Sequence, residues 1–104
     1  MKIIKYFCEI IECELDKAEE YAKQAIIWKD EFPEASKALF TRSQARNDDV
    51  TVLHTTVVNL INNYRAKEGK EPPEPMMSVW EYMHERHIEK AAAVKHLQDM
   101  YRNG

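Results

Sequence analysis

Glycine and proline are scarce in this sequence: two glycines and four prolines occur among its 104 residues. A strand-rich fold needs frequent turns, and turns draw heavily on these two residue types. Their scarcity argues against a β-sandwich or a barrel and favours a few long helices. Hydrophobic residues make up 44% of the chain and charged residues 32%, which is enough apolar material for a core. We expect a single all-α domain over residues 1–104.

The sequence also lacks a surplus of positive charge and any long apolar run. Its net charge is −3, and lysine and arginine alternate with glutamate, as on solvated helix faces that carry i,i+4 ion pairs. A nucleic-acid-binding protein would carry a basic patch, so we expect no nucleic-acid partner. No apolar stretch is long enough to span a bilayer, and the first residues do not resemble a secretion signal. We therefore expect no membrane association and a cytoplasmic location.

Cysteine is rare, and the common catalytic motifs are missing. Cys8 and Cys13 are five residues apart, which separates them by about 140° around a helix, so we do not expect them to pair. We interpret both as reduced thiols that serve as small apolar residues. The sequence has no Gly-rich phosphate loop, nucleophile elbow or Cys-x-x-Cys pair. It therefore favours a protein that is not an enzyme.

Two breaks divide the chain into helices. Proline is tolerated in the first turn of a helix, as Pro33 would be, and Asp30 is able to cap that helix. Gly69 is typical of a helix end, and we expect the proline-rich segment Pro72–Pro75 after it to be extended. The polar run Asn47–Asp49 is a candidate break within the second helix, because Asn and Asp side chains compete for backbone hydrogen bonds. The predicted helices span about residues 3–30, 33–67 and 76–102.

Apolar residues recur at spacings of three and four in each predicted helix, which is typical of helical bundles. The stripes are Ile4, Phe7, Ile11, Glu14, Ala18, Tyr21, Ala25 and Trp28 in the first helix, Leu39, Ser43, Arg46, Val50, Leu53, Val57, Leu60 and Tyr64 in the second, and Val79, Met83, His87, Ala91, Val94, Leu97 and Tyr101 in the third. The second linker reaches only about 27 Å, whereas a helix of this length measures about 45 Å. We therefore expect an antiparallel up-down-up bundle. Three helices leave each stripe partly uncovered, which predicts a homo-oligomer, most simply a homodimer.

Polar residues interrupt the stripes of the first two helices. Glu14 lies between Ile11 and Ala18, and a buried carboxylate is costly unless it is paired, protonated or bound to metal. Counted from the first break, Arg46 falls within about one helical turn of the level of Glu14. We predict a buried ion pair between Glu14 and Arg46, with Asp49 able to share the arginine. Surface exposure and a functional site are the alternatives.

The histidines form a second polar feature. His84 and His87 share a helix face, and Glu81 precedes His84 with the E-x-x-H spacing that directs both side chains at one ion. Antiparallel packing would bring His54 to the same level. These residues are candidates for a metal site, with ordinary interfacial or exposed histidines as the alternative.

The stretch Glu14–Ala22 resembles the first helix of ferritin-like, rubrerythrin-type proteins, in which a glutamate is followed seven residues later by a tyrosine, here Tyr21, and then by an alanine-rich turn. The resemblance covers about residues 10–60. It implies a ferritin-like half-bundle with Glu14 at the place of a metal ligand. The second-helix E-x-x-H is lost, because Arg46–Asp49 reads Arg-Asn-Asp-Asp. Arg46 would then replace the positive charge of the metal.

Two functions follow from these patterns. The first is a non-enzymatic helical interaction or structural protein that is homo-oligomeric, needs no cofactor and derives from a degenerate ferritin-like fold. The alternative is a ferritin-like protein that binds iron or manganese at a site completed across a dimer. Its candidate ligands are Glu14, His54, Glu81, His84 and His87.

Overall fold

The structure, a computed structural model, describes residues 2–104 and consists of three long helices. Helix α1 covers Lys2–Trp28, α2 covers Pro33–Glu68 and α3 covers Glu74–Asn103. The described residues contain no strand and occupy a rod of 57 × 19 × 18 Å. The all-helical class expected from the sequence is confirmed. No helix within residues 2–104 is long and apolar enough to cross a membrane.

The start of α2 differs in detail from the sequence prediction. Phe32, not Asp30, is the N-cap residue, and no side chain caps the helix. Pro33 takes the first helical position, where its missing N–H leaves one donor fewer to satisfy. The backbone N–H of Ser36 donates to the Phe32 carbonyl and begins the helical ladder.

Of the other predictions about helix boundaries, the one for the end of α2 is confirmed, and those for a break near Asn47 and for the second linker are corrected. Gly69 ends α2 with a φ of 65°, a left-handed conformation that glycine adopts without steric cost. The interruption expected near Asn47 is absent, because α2 stays helical through that position. The extended linker is also shorter than predicted: Glu74 already begins α3, and Pro75 lies in its first turn. A proline in the first turn removes no intrahelical hydrogen bond, so the prediction placed the helix start too late.

Helix α1 packs along both other helices, whereas α2 and α3 touch each other at few points. Contacts between α1 and α2 pair Ala18 with Ser43 and Glu14 with Arg46, so residue numbers run in opposite directions on these two helices. The small side chains of Ala18 and Ser43 let the two backbones approach closely.

Charged residues on the other side of α1 connect it to α3. Glu12 pairs with Arg86, and Asp16 pairs with Lys90. Residue numbers therefore rise in the same direction on α1 and α3. Lys90 also lies 3.8 Å from Glu12, so the two carboxylates and two cations form one partly exposed strip.

The buried face of α1 differs from the stripe that the sequence predicted. The buried residues of α1 are Ile4, Cys8, Ile11, Leu15, Ala18, Ala22 and Ala25. Four of the predicted positions are therefore correct, but Leu15 is buried where the stripe had placed Glu14, and Ala22 where it had placed Tyr21. The reason is that α1 contacts two helices, so its buried face is centred between α2 and α3 rather than on α2 alone.

Candidate functional site

Glu14 and Arg46 form an ion pair across α1 and α2. One Arg46 nitrogen, Nη1, lies 3.0 Å from both carboxylate oxygens of Glu14. This contact, first through the hydrogen bond and then through the opposite charge, raises the pKa of Arg46. The side chains of Arg46 and Glu14 remain 31% and 17% exposed, so the pair lies at the edge of the helix interface and not in the interior where the sequence placed it. Asp49 is exposed and makes no ion pair with Arg46 within the described chain.

The ion pair belongs to a half-buried surface on the side of α1 and α2 turned away from α3. Glu12 and Glu14 are two residues apart, hence about 160° apart around α1, and they pair with α3 and α2 respectively. Residues seven positions before and after Glu14 share its side of the helix, and the same holds for Arg46 on α2. We call this surface the outer face. Its half-buried members are Phe7, Ile10, Glu14 and Tyr21 on α1 with Leu39, Arg46, Leu53 and Leu60 on α2.

On the opposite side of the molecule, two histidines meet between α2 and α3. The Nε2 atoms of His54 and His84 lie 3.0 Å apart, so one of them donates a hydrogen bond and the other accepts it. Trp80, one turn before His84, stacks on the His84 ring with centroids 5.2 Å apart and an angle of 9° between the planes. Burial, followed by the neighbouring His84, lowers the pKa of His54. The pair is therefore held in place by the helices and by an aromatic platform.

His87 is the most deeply buried histidine of this region, with 4% of its surface exposed. Neither of its ring nitrogens has a hydrogen-bond partner among residues 2–104. Burial lowers its pKa, and the effect is opposed first by the Glu12 carboxylate and then by the nearby backbone of Cys8. An unpartnered buried imidazole is costly, and such groups in native structures call for an explanation.

The three histidines line a groove of about 200 Å³ between α2 and α3, which we call the histidine groove. It exists because α2 and α3 touch so little. Its other lining residues are Ile11, Val50, Thr51, Ile88 and Ala91. The groove is therefore lined by apolar side chains together with three imidazoles.

The five predicted metal ligands are not gathered into one site. The structure brings His54 and His84 together and places His87 in the same groove, but Glu81 is exposed and Glu14 is paired with Arg46 on the outer face. Glu81 and His87 lie about 60° to either side of His84 around α3, and because His87 is on the buried side, Glu81 falls on the side that faces solvent. Within residues 2–104, no group of three or more His, Cys, Asp or Glu side chains is placed to hold a metal ion.

Sequence reasoning missed a chain of buried polar residues at the other end of the bundle. The hydroxyl of Ser43 donates to the Ala18 carbonyl over 2.7 Å, and the amide of Gln98 donates to that hydroxyl over 3.0 Å. The hydroxyl of Ser36 donates to the Ala25 carbonyl in the same way. The small residues spaced by three, four and seven on α1 and α2 were the available signal, since they permit backbones close enough for such bonds.

No family model, curated protein or solved structure matches this chain. The resemblance of Glu14–Ala22 to ferritin-like proteins therefore stays a prediction.

Proposed function

We propose that this chain is a non-enzymatic helical protein whose function is self-association, and that it forms a homodimer through the outer face. The observation that carries this proposal is the layered arrangement of that face. Phe7 and Leu53 lie at one level, and Glu14 and Arg46 lie one heptad further along, in the register set by the contacts between α1 and α2. Half-buried apolar side chains in a contiguous row are typical of interaction surfaces.

The charge pattern of the outer face supports a second copy as its partner. In one two-fold arrangement, with the axis parallel to the helices, α1 packs against α2 of the partner and each layer meets the same layer. Glu14 then faces the partner subunit's Arg46, so the ion pairs of both copies form one neutral network. With the axis perpendicular to the helices at the level of the ion pair, Glu14 would face Glu14, and with the axis at any other level the ion pairs of the two copies would not meet. We therefore propose the first arrangement.

This dimer would combine two α1–α2 pairs into a four-helix bundle whose neighbouring helices are antiparallel. Each chain would be an up-down-up unit, supported by the direction in which residue numbers run across the contacts, with α3 on the outside. In this arrangement the second chain would supply the two helices that a ferritin-like half-bundle lacks. The iron or manganese alternative is less well supported, because Glu14 is the one carboxylate among the eight described half-buried residues of the outer face and it is already paired with Arg46.

The proposal predicts the mass of the protein in solution. At micromolar concentration, sedimentation equilibrium should give twice the 12.3 kDa mass of the chain. Ile10→Glu should produce a monomer, because it places a charge on the outer face at a residue outside the main core cluster. Ile88→Glu is the matched control in the histidine groove, and it should remain dimeric. A monomeric parent protein, or dissociation by Ile88→Glu alone, would contradict the proposal.

A charge swap tests the ionic layer. Glu14→Arg alone should produce a monomer, since it sets like charges against Arg46 within the chain and across the interface. Glu14→Arg combined with Arg46→Glu should restore the dimer, because both kinds of pair are re-formed with the positions exchanged. Light scattering gives the mass, and circular dichroism shows that each variant remains helical. If the double variant is as monomeric as the single one, the ionic layer does not lie at the interface.

A further inference from the structure

We propose that His54 and His84 bind a divalent transition-metal ion that favours nitrogen ligands, with zinc, copper and nickel as the candidates. This proposal rests on the position of the two Nε2 atoms, which come from different helices and lie 3.0 Å apart. Neutral imidazole suits these three metals, whereas manganese prefers carboxylate and water. The proposal is independent of the proposed dimer, because the histidine groove lies on the other side of the molecule.

The separation of the two nitrogens is close to what a tetrahedral ion requires. Zinc–nitrogen bonds of about 2.0–2.1 Å at tetrahedral angles place two ligating nitrogens about 3.3 Å apart. A change of a few tenths of an ångström would convert the hydrogen-bonded pair into a chelating pair. The shared proton would move from Nε2 to Nδ1 of the donating ring, so each neutral imidazole would present a lone pair to the ion and no net proton would be released.

The surroundings hold the two rings before any ion arrives. Trp80 stacks on His84 and its ring lies 5.5 Å from that of His54, so the imidazole planes are restrained by packing. Both backbones belong to long helices. Ligands fixed in this way lose little conformational freedom on binding, which favours coordination by only two side chains.

His87 supplies a second and independent observation. It is almost completely buried, it lines the same groove, and neither ring nitrogen has a partner in the described chain. The groove has a volume of about 200 Å³, whereas a water molecule occupies about 30 Å³, so an ion and its water ligands fit within it. A water ligand of the ion would donate a hydrogen bond to one ring nitrogen of His87 and so satisfy one of its two unpartnered atoms. The ion would thus have two protein ligands and complete its coordination with water.

Zinc titration of untagged protein by isothermal calorimetry near neutral pH tests the site. We expect one ion per chain, and at least tenfold weaker binding in His54→Gln and in His84→Gln. His96→Gln is the matched control, because His96 is exposed on the same helix as His84 and should leave the affinity unchanged. Equal binding by all four proteins would show a different or non-specific site and would overturn the proposal, as would the absence of binding to the parent protein.

Copper provides a test that does not depend on how the variants fold. With one equivalent of Cu²⁺ on the parent protein, electron paramagnetic resonance should show hyperfine structure from two equivalent nitrogen ligands, and a spectrum without nitrogen coupling would contradict the proposal. Ile10→Glu should bind zinc as the parent does, even as a monomer. That result would separate a failure of the dimer proposal from a failure of the metal proposal.

Discussion

Replacing Leu15 by alanine should destabilise the fold by about 2–5 kcal/mol, the range for removing a buried leucine side chain. Leu15 lies in the middle of α1, has no exposed surface and belongs to the main core cluster. The cost combines lost burial with the cavity left behind, and long helices on both sides limit how far that cavity collapses. Urea unfolding followed by circular dichroism measures the change.

Val52→Ala is the control for the Leu15 experiment. Val52 is largely exposed on α2, so its truncation should change the free energy of unfolding by no more than about 0.5 kcal/mol. The comparison tests the register of α1, because the stripe read from the sequence passes through Glu14 and leaves Leu15 outside. If Leu15→Ala lowered the free energy of unfolding no more than Val52→Ala does, Leu15 would not be in the core, and the stripe through Glu14 would be the buried face.

The existence of the three helices could be predicted because proline and glycine mark their ends, but the register of α1 could not. Ile11 and Ala18 belong to both possible stripes. The set completed by Glu14 and Tyr21 and the set completed by Leu15 and Ala22 both keep spacings of three and four. Which set is buried depends on where the other two helices lie around α1, and that is a tertiary property that the pattern of one helix does not contain.

The candidate site could also be predicted in part: the level of its residues along the helices, but not the direction of every side chain. Counting residues along antiparallel helices placed His54 near the level of His84 and His87, and the structure brings all three to one groove. Glu81 was included for its E-x-x-H spacing, which fixes its angle to His84 but does not show which side of His84 faces the groove, and the structure places Glu81 on the solvent side. Gln98 was missed because a polar residue that is buried by hydrogen bonding looks, in the sequence, like any exposed glutamine.

Acid should weaken the fold through His87. Burial lowers its pKa from the ordinary value of 6.5, so the unfolded chain takes up a proton at a higher pH than the folded chain. As the pH falls below about 6.5, the free energy of unfolding should therefore decrease, by at most about 1.4 kcal/mol per pH unit for one histidine, until the folded His87 also protonates. His54, whose pKa is lowered as well, adds a loss of the same sign, while Glu12 beside His87 opposes it.

Urea unfolding of His87→Leu at about pH 7.5 and about pH 5.5 isolates this contribution, because the ordinary histidine pKa lies between them. Leucine fills a similar volume without a titrating group, so the variant should lose less stability on acidification than the parent. At the higher pH it should be more stable, because an unsatisfied buried polar group costs about 1–3 kcal/mol. His96→Gln removes an exposed histidine and should keep the parent's pH dependence. If His87→Leu lost as much stability in acid as the parent, the acid sensitivity would have to come from His54, and the buried imidazole of His87 would not be the group that resists protonation.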